Sequence, residues 1–244
     1  MEGNDIKKKT SIVILVIIII LIIILTAYVF ININKILQEK LRPPHIKIFY
    51  IGDFSELELD AISNSVQQML DLMPNWEIIT NESNQIAVET AAEKSKKRTN
   101  KIYGEQIDAN SLIENVKKSK VRKYANERIV VFTTYGLYKE DYSFLFGLSS
   151  PKENICINSL SRYRELPEYE QELGIEWVVR HELGHLGGLI KTGRSNSYEK
   201  GGTHCSNYGC TMGQAWTLQE LQARVYEIEK MESLFCSQCI KDLK

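Results

Sequence analysis

Neither sign of charge dominates this chain: 30 Lys and Arg stand against 31 Asp and Glu in 244 residues, a net charge of −1. That balance supplies no global attraction to a polyanion, so nucleic acid is not an expected partner. Two basic runs, Lys94 to Lys101 and Lys117 to Lys123, lack interleaved aromatic residues and read as a solvated loop and a solvated helix face. Internal repeats are absent, and low complexity is confined to one apolar stretch near the N-terminus. Histidine and cysteine are scarce: His45, His181, His185 and His204, with Cys156, Cys205, Cys210, Cys236 and Cys239. Three of these four His and four of these five Cys fall in the last third of the chain. Scarce metal-ligating residues gathered in one region point to bound metal.

The apolar stretch, Ser11 to Ile31, carries no charge and almost no polar side chain. About twenty residues rising about 1.5 Å each match a hydrocarbon core of about 30 Å, and a buried core helix would show a polar stripe. A cleaved signal peptide is the competing reading. Its apolar region should be shorter and end in a small-x-small site, whereas Tyr28, Val29, Phe30 and Ile31 follow Thr26 and Ala27. An uncleaved, single-pass anchor is expected. Lys7, Lys8 and Lys9 form a tighter basic cluster than Lys35, Lys40 and Arg42, which favours a cytoplasmic N-terminus and an extracytoplasmic main domain. The expected organisation is a tail over 1–10, a transmembrane helix over 11–31, a connector over 32–44 stiffened by Pro43 and Pro44, and one domain over 45–244. The single sequon, at Asn81, is too common a pattern to count.

Within that domain the pattern predicts a strand over 46–51 and a helix over 56–73 closed by Pro74. A short strand over 76–80, an amphipathic helix over 111–124 and a buried strand over 128–134 follow, with 87–100 ambiguous. Two β-like runs, 143–150 and 154–160, flank a turn at Pro151, and Cys156 reads as a buried strand residue. This alternation predicts an α/β (α+β) fold with a twisted, partly parallel sheet. A strand placed just before the next helix could form a sheet edge along a cleft, where an extended peptide adds as a further strand.

That helix starts near Pro167 and carries the run His181-Glu182-x-x-His185. Four residues apart, the two imidazoles share a helix face at a spacing that lets them bind one zinc. Glu182 is turned by about 100°, where a carboxylate can take a proton from water. Two ligands do not complete a catalytic zinc site. In the metzincin pattern a glycine three residues past the second His ends the helix, and Gly188 stands there; the third ligand three residues on would be Lys191, which cannot serve. His204 is therefore the expected third ligand, reached across an inserted polar loop (192–203) marked by Gly193, Gly201 and Gly202.

From His204 onward the sequence resembles the archaemetzincin family: His204-Cys205, then Cys210, Met212, and later Cys236 and Cys239. The resemblance covers roughly residues 45 to 239 and departs in the inserted loop, in a longer gap between Met212 and Cys236, and in the anchor. It implies a metzincin-like domain ending in a four-cysteine zinc subdomain, with Cys205, Cys210, Cys236 and Cys239 holding a second, structural zinc. It also implies Met212 as the Met-turn beneath the catalytic zinc. Four thiolates do suit a closed tetrahedral site, although two disulfides remain an alternative in an oxidising compartment. The expected activity is zinc-dependent hydrolysis of peptide or protein substrates with Glu182 as general base. Two other readings stand beside it: a peptidase using Glu220 as third ligand in the gluzincin manner, and a zinc-stabilised protein that binds peptides or partners without cleaving them.

Overall fold

The computed structural model describes residues 2–41, 44–79, 84–124, 126–190, 194, 196–198, 204–230 and 233–243. Pro43, the sequon at Asn81, Lys191, Gly193, Gly201 and Gly202 lie outside the described residues. Two compact units result, 1–42 and 43–244.

The first unit is one helix, α1 (Glu2–Leu41). Its stretch Ile17–Leu37 is long and apolar enough to cross a membrane, a property that signal sequences share, and none of it is buried. The expected connector after residue 31 is thus still helical as far as Leu41. Two of its polar side chains bond back to their own helix, Thr26 Oγ1 to the Ile22 carbonyl at 3.0 Å and Asn32 Nδ2 to the Tyr28 carbonyl at 2.8 Å. Such back-bonding is how polar groups are satisfied where no water is available.

In the second unit β1 (His45–Ile51) leads into α2 (Glu56–Leu72). Ser55 and Glu58 form a reciprocal capping box at the α2 N-terminus. After β2 (Glu77–Ile78) come α3 (Gln85–Glu93), β3 (Lys97–Asn100), β4 (Gly104–Asp108) and α4 (Ala109–Lys118). The ambiguous segment 87–100 is therefore helix and then strand. The α4 helix ends at Lys118 rather than residue 124, because Lys120 takes a left-handed φ of 58°. The chain continues through β5 (Arg128–Thr133), β6 (Gly136–Lys139), β7 (Tyr142–Leu145), β8 (Gly147–Ser150), β9 (Ile155–Ser159), α5 (Glu168–Leu186), β10 (Ser197–Tyr198), β11 (His204–Cys205), α6 (Leu218–Glu229) and α7 (Ser237–Asp242).

The main sheet has the order β2-β1-β5-β9-β8, parallel except for β8, which runs antiparallel to β9 at the edge. The period of two along its strands divides the core. Ile129 and Val131 of β5 and Ile155 and Ile157 of β9 join the apolar faces of α3 and α4. Val130, Phe132 and Cys156 point the other way, into a core shared with α2 and α5. The result is a mixed α/β fold with helices on both faces of the sheet, and Cys156 is buried in a strand as expected. A second sheet, β3-β4-β6-β7, was not anticipated. It takes half of the run 143–150: the chain breaks at Phe146, so that β7 joins the second sheet and β8 the first.

Candidate active site

The α5 helix carries both motif histidines on the face turned toward β11 and the segment 210–213, and it ends in a Schellman turn. The Gly188 N–H bonds the His185 carbonyl at 3.0 Å and the Leu189 N–H bonds the Gly184 carbonyl at 2.9 Å. Gly188 adopts φ of 83°, which glycine reaches without steric cost, so the glycine read from the sequence does end the helix and reverse the chain.

His181, His185 and His204 converge. Their ring centroids are 4.8, 5.2 and 5.2 Å apart, and one ligand-capable atom from each falls within 4.8 Å of the others. The Nε2 atoms of His181 and His185 are separated by 3.2 Å. A tetrahedral zinc with Zn–N bonds of 2.0–2.1 Å requires nitrogens about 3.3 Å apart, so the donor set fits that ion. His181 Nδ1 lies 2.8 Å from the Thr211 carbonyl, which can only accept; Nδ1 therefore carries the proton and Nε2 keeps its lone pair. Burial, then the neighbouring rings of His185 and His204, holds His181 well below the ordinary imidazole range. Burial and then His204 bring His185 to about 3. Neutral imidazoles are the form that binds metal.

Glu182 points into the same cleft from beside the histidines. It is 5% exposed, and burial raises its pKa to about 7 against the opposing hydrogen bond from Ser149. Ser149 Oγ on β8 donates to Glu182 Oε2 at 2.5 Å and lies 3.0 Å from the Glu182 carbonyl. Two residues earlier, β8 offers no side chain at all: a Cβ on Gly147 would lie 2.6 Å from Glu182 Oε1 and 2.7 Å from its Cγ. The edge strand thus both leaves room for the carboxylate and grips it. Trp177, one turn before His181, lays its ring 4.7 Å from that imidazole. Gly147, Ser149, Trp177 and Thr211 were not singled out from the sequence. Only the proximity of Thr211 to Met212 and the position of "FGLSS" before the helix hinted at them.

Met212 is fully buried, with its sulfur 2.4 Å from where a Cβ on Gly184 would stand, directly against α5 between the two motif histidines. Its carbonyl accepts the Cys205 N–H at 2.9 Å. One tight turn therefore supports His181 through Thr211, the helix through the Met212 side chain and the strand of His204 through the Met212 backbone.

Beside it, Cys205, Cys210, Cys236 and Cys239 form a buried cluster with all four Sγ atoms within 4.8 Å. All are free thiols. The Cys205–Cys236 and Cys210–Cys239 sulfurs are 3.7 and 3.5 Å apart. A disulfide needs about 2.05 Å, whereas four sulfurs at 2.3 Å from one zinc stand about 3.8 Å apart, so the set fits zinc and not two disulfides. Hydrogen bonds from the Cys210 and Cys239 thiols hold the Cys205 thiol below its usual range, and the same Cys205 contact pushes Cys210 up.

Glu220 is elsewhere. It sits in the first turn of α6, where its carboxylate accepts the Trp216 N–H at 2.7 Å and its own N–H bonds Thr217 Oγ1 at 3.1 Å, closing a helix cap. It is not among the residues lining the cleft, which removes the geometric basis for Glu220 as third ligand. The cleft itself encloses about 1040 Å³ between β8, β7 and the segment after Met212, with Phe144, Phe146, Leu148 and Trp216 among its walls.

A family model described as peptidase family M54 matches residues 45–244. An archaemetzincin of Nanoarchaeum equitans (strain Kin4-M) is 26% identical over 141 residues, 58% of this chain and 64% of that relative's length. The fold is similar to the crystal structure of an archaemetzincin from Methanopyrus kandleri (TM-score 0.56, 17% identity, 82% of this chain and 92% of that one). It is also similar to a zinc-dependent peptidase from Methanocorpusculum labreanum (TM-score 0.53, 20% identity, 82% of this chain and 100% of that one).

Proposed function

The chain belongs to peptidase family M54, and from that premise we propose that it is a zinc-dependent metallopeptidase hydrolysing peptide bonds in peptide or protein substrates. His181, His185 and His204 hold the catalytic zinc, Glu182 is the general base, and Cys205, Cys210, Cys236 and Cys239 hold a second, structural zinc. The observation that carries this reading is the convergence of three imidazoles within 4.8 Å beside a buried carboxylate in one cleft. Zinc at the histidines supplies Lewis acidity, polarising the scissile carbonyl and lowering the pKa of water to about 7.

The chain's own residues do the rest. Glu182, anchored by Ser149, takes the proton of the attacking water and delivers it to the leaving amine. A pKa near 7 suits a group that must accept and release a proton within one cycle. The edge strand β8 offers its free side to an extended substrate by strand addition, with the apolar cleft wall receiving side chains. Met212 is the floor beneath the histidines. The α1 helix anchors the enzyme in a membrane with the peptidase domain on the extracytoplasmic side.

Glu182→Gln is the direct test. The variant should retain both zinc ions by elemental analysis while kcat/KM on a peptide library falls by about a thousandfold, within the range of proton-transfer catalysis. Undiminished turnover would remove Glu182 from its role. Chelator-insensitive cleavage would contradict zinc dependence, and binding without any cleavage would favour the non-catalytic reading instead.

A further inference from the structure

We infer that Arg194 is a positioning residue for the cysteine centre: its guanidinium fastens the insertion before His204 to Cys239 and thereby steadies the strand that carries His204. This rests on the reading of the four cysteines as a zinc site. Arg194 Nη2 donates to Cys239 Sγ at 3.1 Å, while Nη1 donates to Asp242 at 2.6 Å. Both charged side chains are buried, at 8% and 6% exposure. The planar fork of arginine lets one side chain hold both partners at once, which a lysine ammonium cannot reproduce.

The segment is tied to the same centre at further points. Asn196 Nδ2 donates to Cys205 Sγ at 3.9 Å, the Asn196 carbonyl accepts the Ser206 N–H at 2.9 Å, and Ser197 Oγ donates to the Arg194 carbonyl at 2.9 Å. β10 then pairs antiparallel with β11, setting Ser197 opposite Cys205 and Tyr198 opposite His204. None of the described insertion residues, Arg194 and 196–198, lines the catalytic cleft. What is described of the insertion is therefore a strut against the cysteine centre and not a cover over the active site.

Charge explains why an arginine is needed. Four thiolates around one divalent cation leave a net charge of about −2, and Cys205, Cys210 and Cys239 have no exposed surface. Such a centre is costly to bury unless N–H donors face its sulfurs. The Cys236 N–H bonds Cys210 Sγ at 3.4 Å and Asn196 bonds Cys205, but both donors are neutral. Among the described residues Arg194 supplies the charged donor, and Asp242 aims it.

The test uses the full chain in detergent, loaded with Co²⁺. Thiolate-to-cobalt absorption reports the cysteine centre alone, and its decay on adding a chelator measures release without reference to peptidase activity. Arg194→Met should release this metal about tenfold faster or more, the scale expected when a partner of a ligand is lost. Arg194→Lys should fall between that and wild type, and it answers the question should the neutral variant not fold. Wild-type release from the lysine variant and from every folded neutral variant overturns the role of Arg194 and leaves the zinc reading intact. A wild-type chain without the thiolate band overturns both.

Discussion

Glu182 shows how much of a proposed general base's character comes from its neighbours. A carboxylate beside two histidines is legible in the sequence as a candidate base, but its setting is not. Burial drives its pKa to about 7, and Ser149 is the group that resists this by donating to the charged form. Removing that donor leaves burial unopposed, so in Ser149→Ala the pKa rises. The acid limb of the kcat/KM profile should move to higher pH, with kcat lowered about tenfold or more and KM little changed, given the worth of a hydrogen bond to a charged group. A limb that stays in place would show that Ser149 does not act through Glu182. Neither Ser149 nor Gly147 could be named beforehand, since a serine and a glycine in "FGLSS" have ordinary roles in most strands. Their importance appears only once β8 is laid alongside α5.

Secondary-structure elements were legible where their periodicity was long and their ends marked. The stop at Pro74 and the turn at Gly188 sit where the residues indicate, and the structure adds a capping box at Ser55 and Glu58 that was not read from the sequence. The second sheet was missed because its strands are four or five residues long, partly polar and paired across distant segments, which leaves little local pattern to detect. One long-range tie between elements invites measurement. Lys47 on β1 pairs with Glu127 at 3.1 Å and bonds the Val121 carbonyl at 3.0 Å, with both charged side chains nearly inaccessible. Lys47→Met strands a buried carboxylate, and urea unfolding should report a loss of about 3–5 kcal/mol. Burial alone would raise Glu127, but the Lys123 and Tyr124 N–H groups and Lys47 outweigh it and hold its pKa below the usual value. Glu58, buried but bonded to Arg164 and Ser55, is lowered in the same way. Their stabilisation is present above about pH 4.3, the unfolded value, and is lost as pH falls through the lowered folded values. The urea midpoint of the wild-type chain should therefore drop on acidification below about pH 5, and a midpoint flat to pH 3 would contradict this.

At the scale of the whole molecule, the two proposed zinc ions have separable consequences. His204→Ala should reduce the metal content to one zinc per chain and abolish peptidase activity with little change in melting temperature. Cys239→Ser should also leave one zinc but lower the melting temperature by on the order of 5 °C or more, because the cysteine centre ties β11, the turn before Gly213 and α7 together. Equal melting of the two variants would deny the cysteines a structural role. The α1 helix makes a separate prediction: the full chain should resist alkaline extraction from membranes and keep an intact mass that includes residues 1–44, whereas a cleaved leader would shorten it. The sequence by itself determined the candidate metal-binding residues of the chain, since the identity and spacing of His181, Glu182, His185, Gly188, His204 and the four cysteines restrict what a helix and a turn can present to a metal. It also determined the apolar span, a matter of composition and length. Tertiary structure decided which strand touches Glu182, which carbonyl orients His181 and where Arg194 lands. These depend on contacts between residues tens of positions apart, whose pairing is set by packing of the whole core and leaves no mark on local spacing.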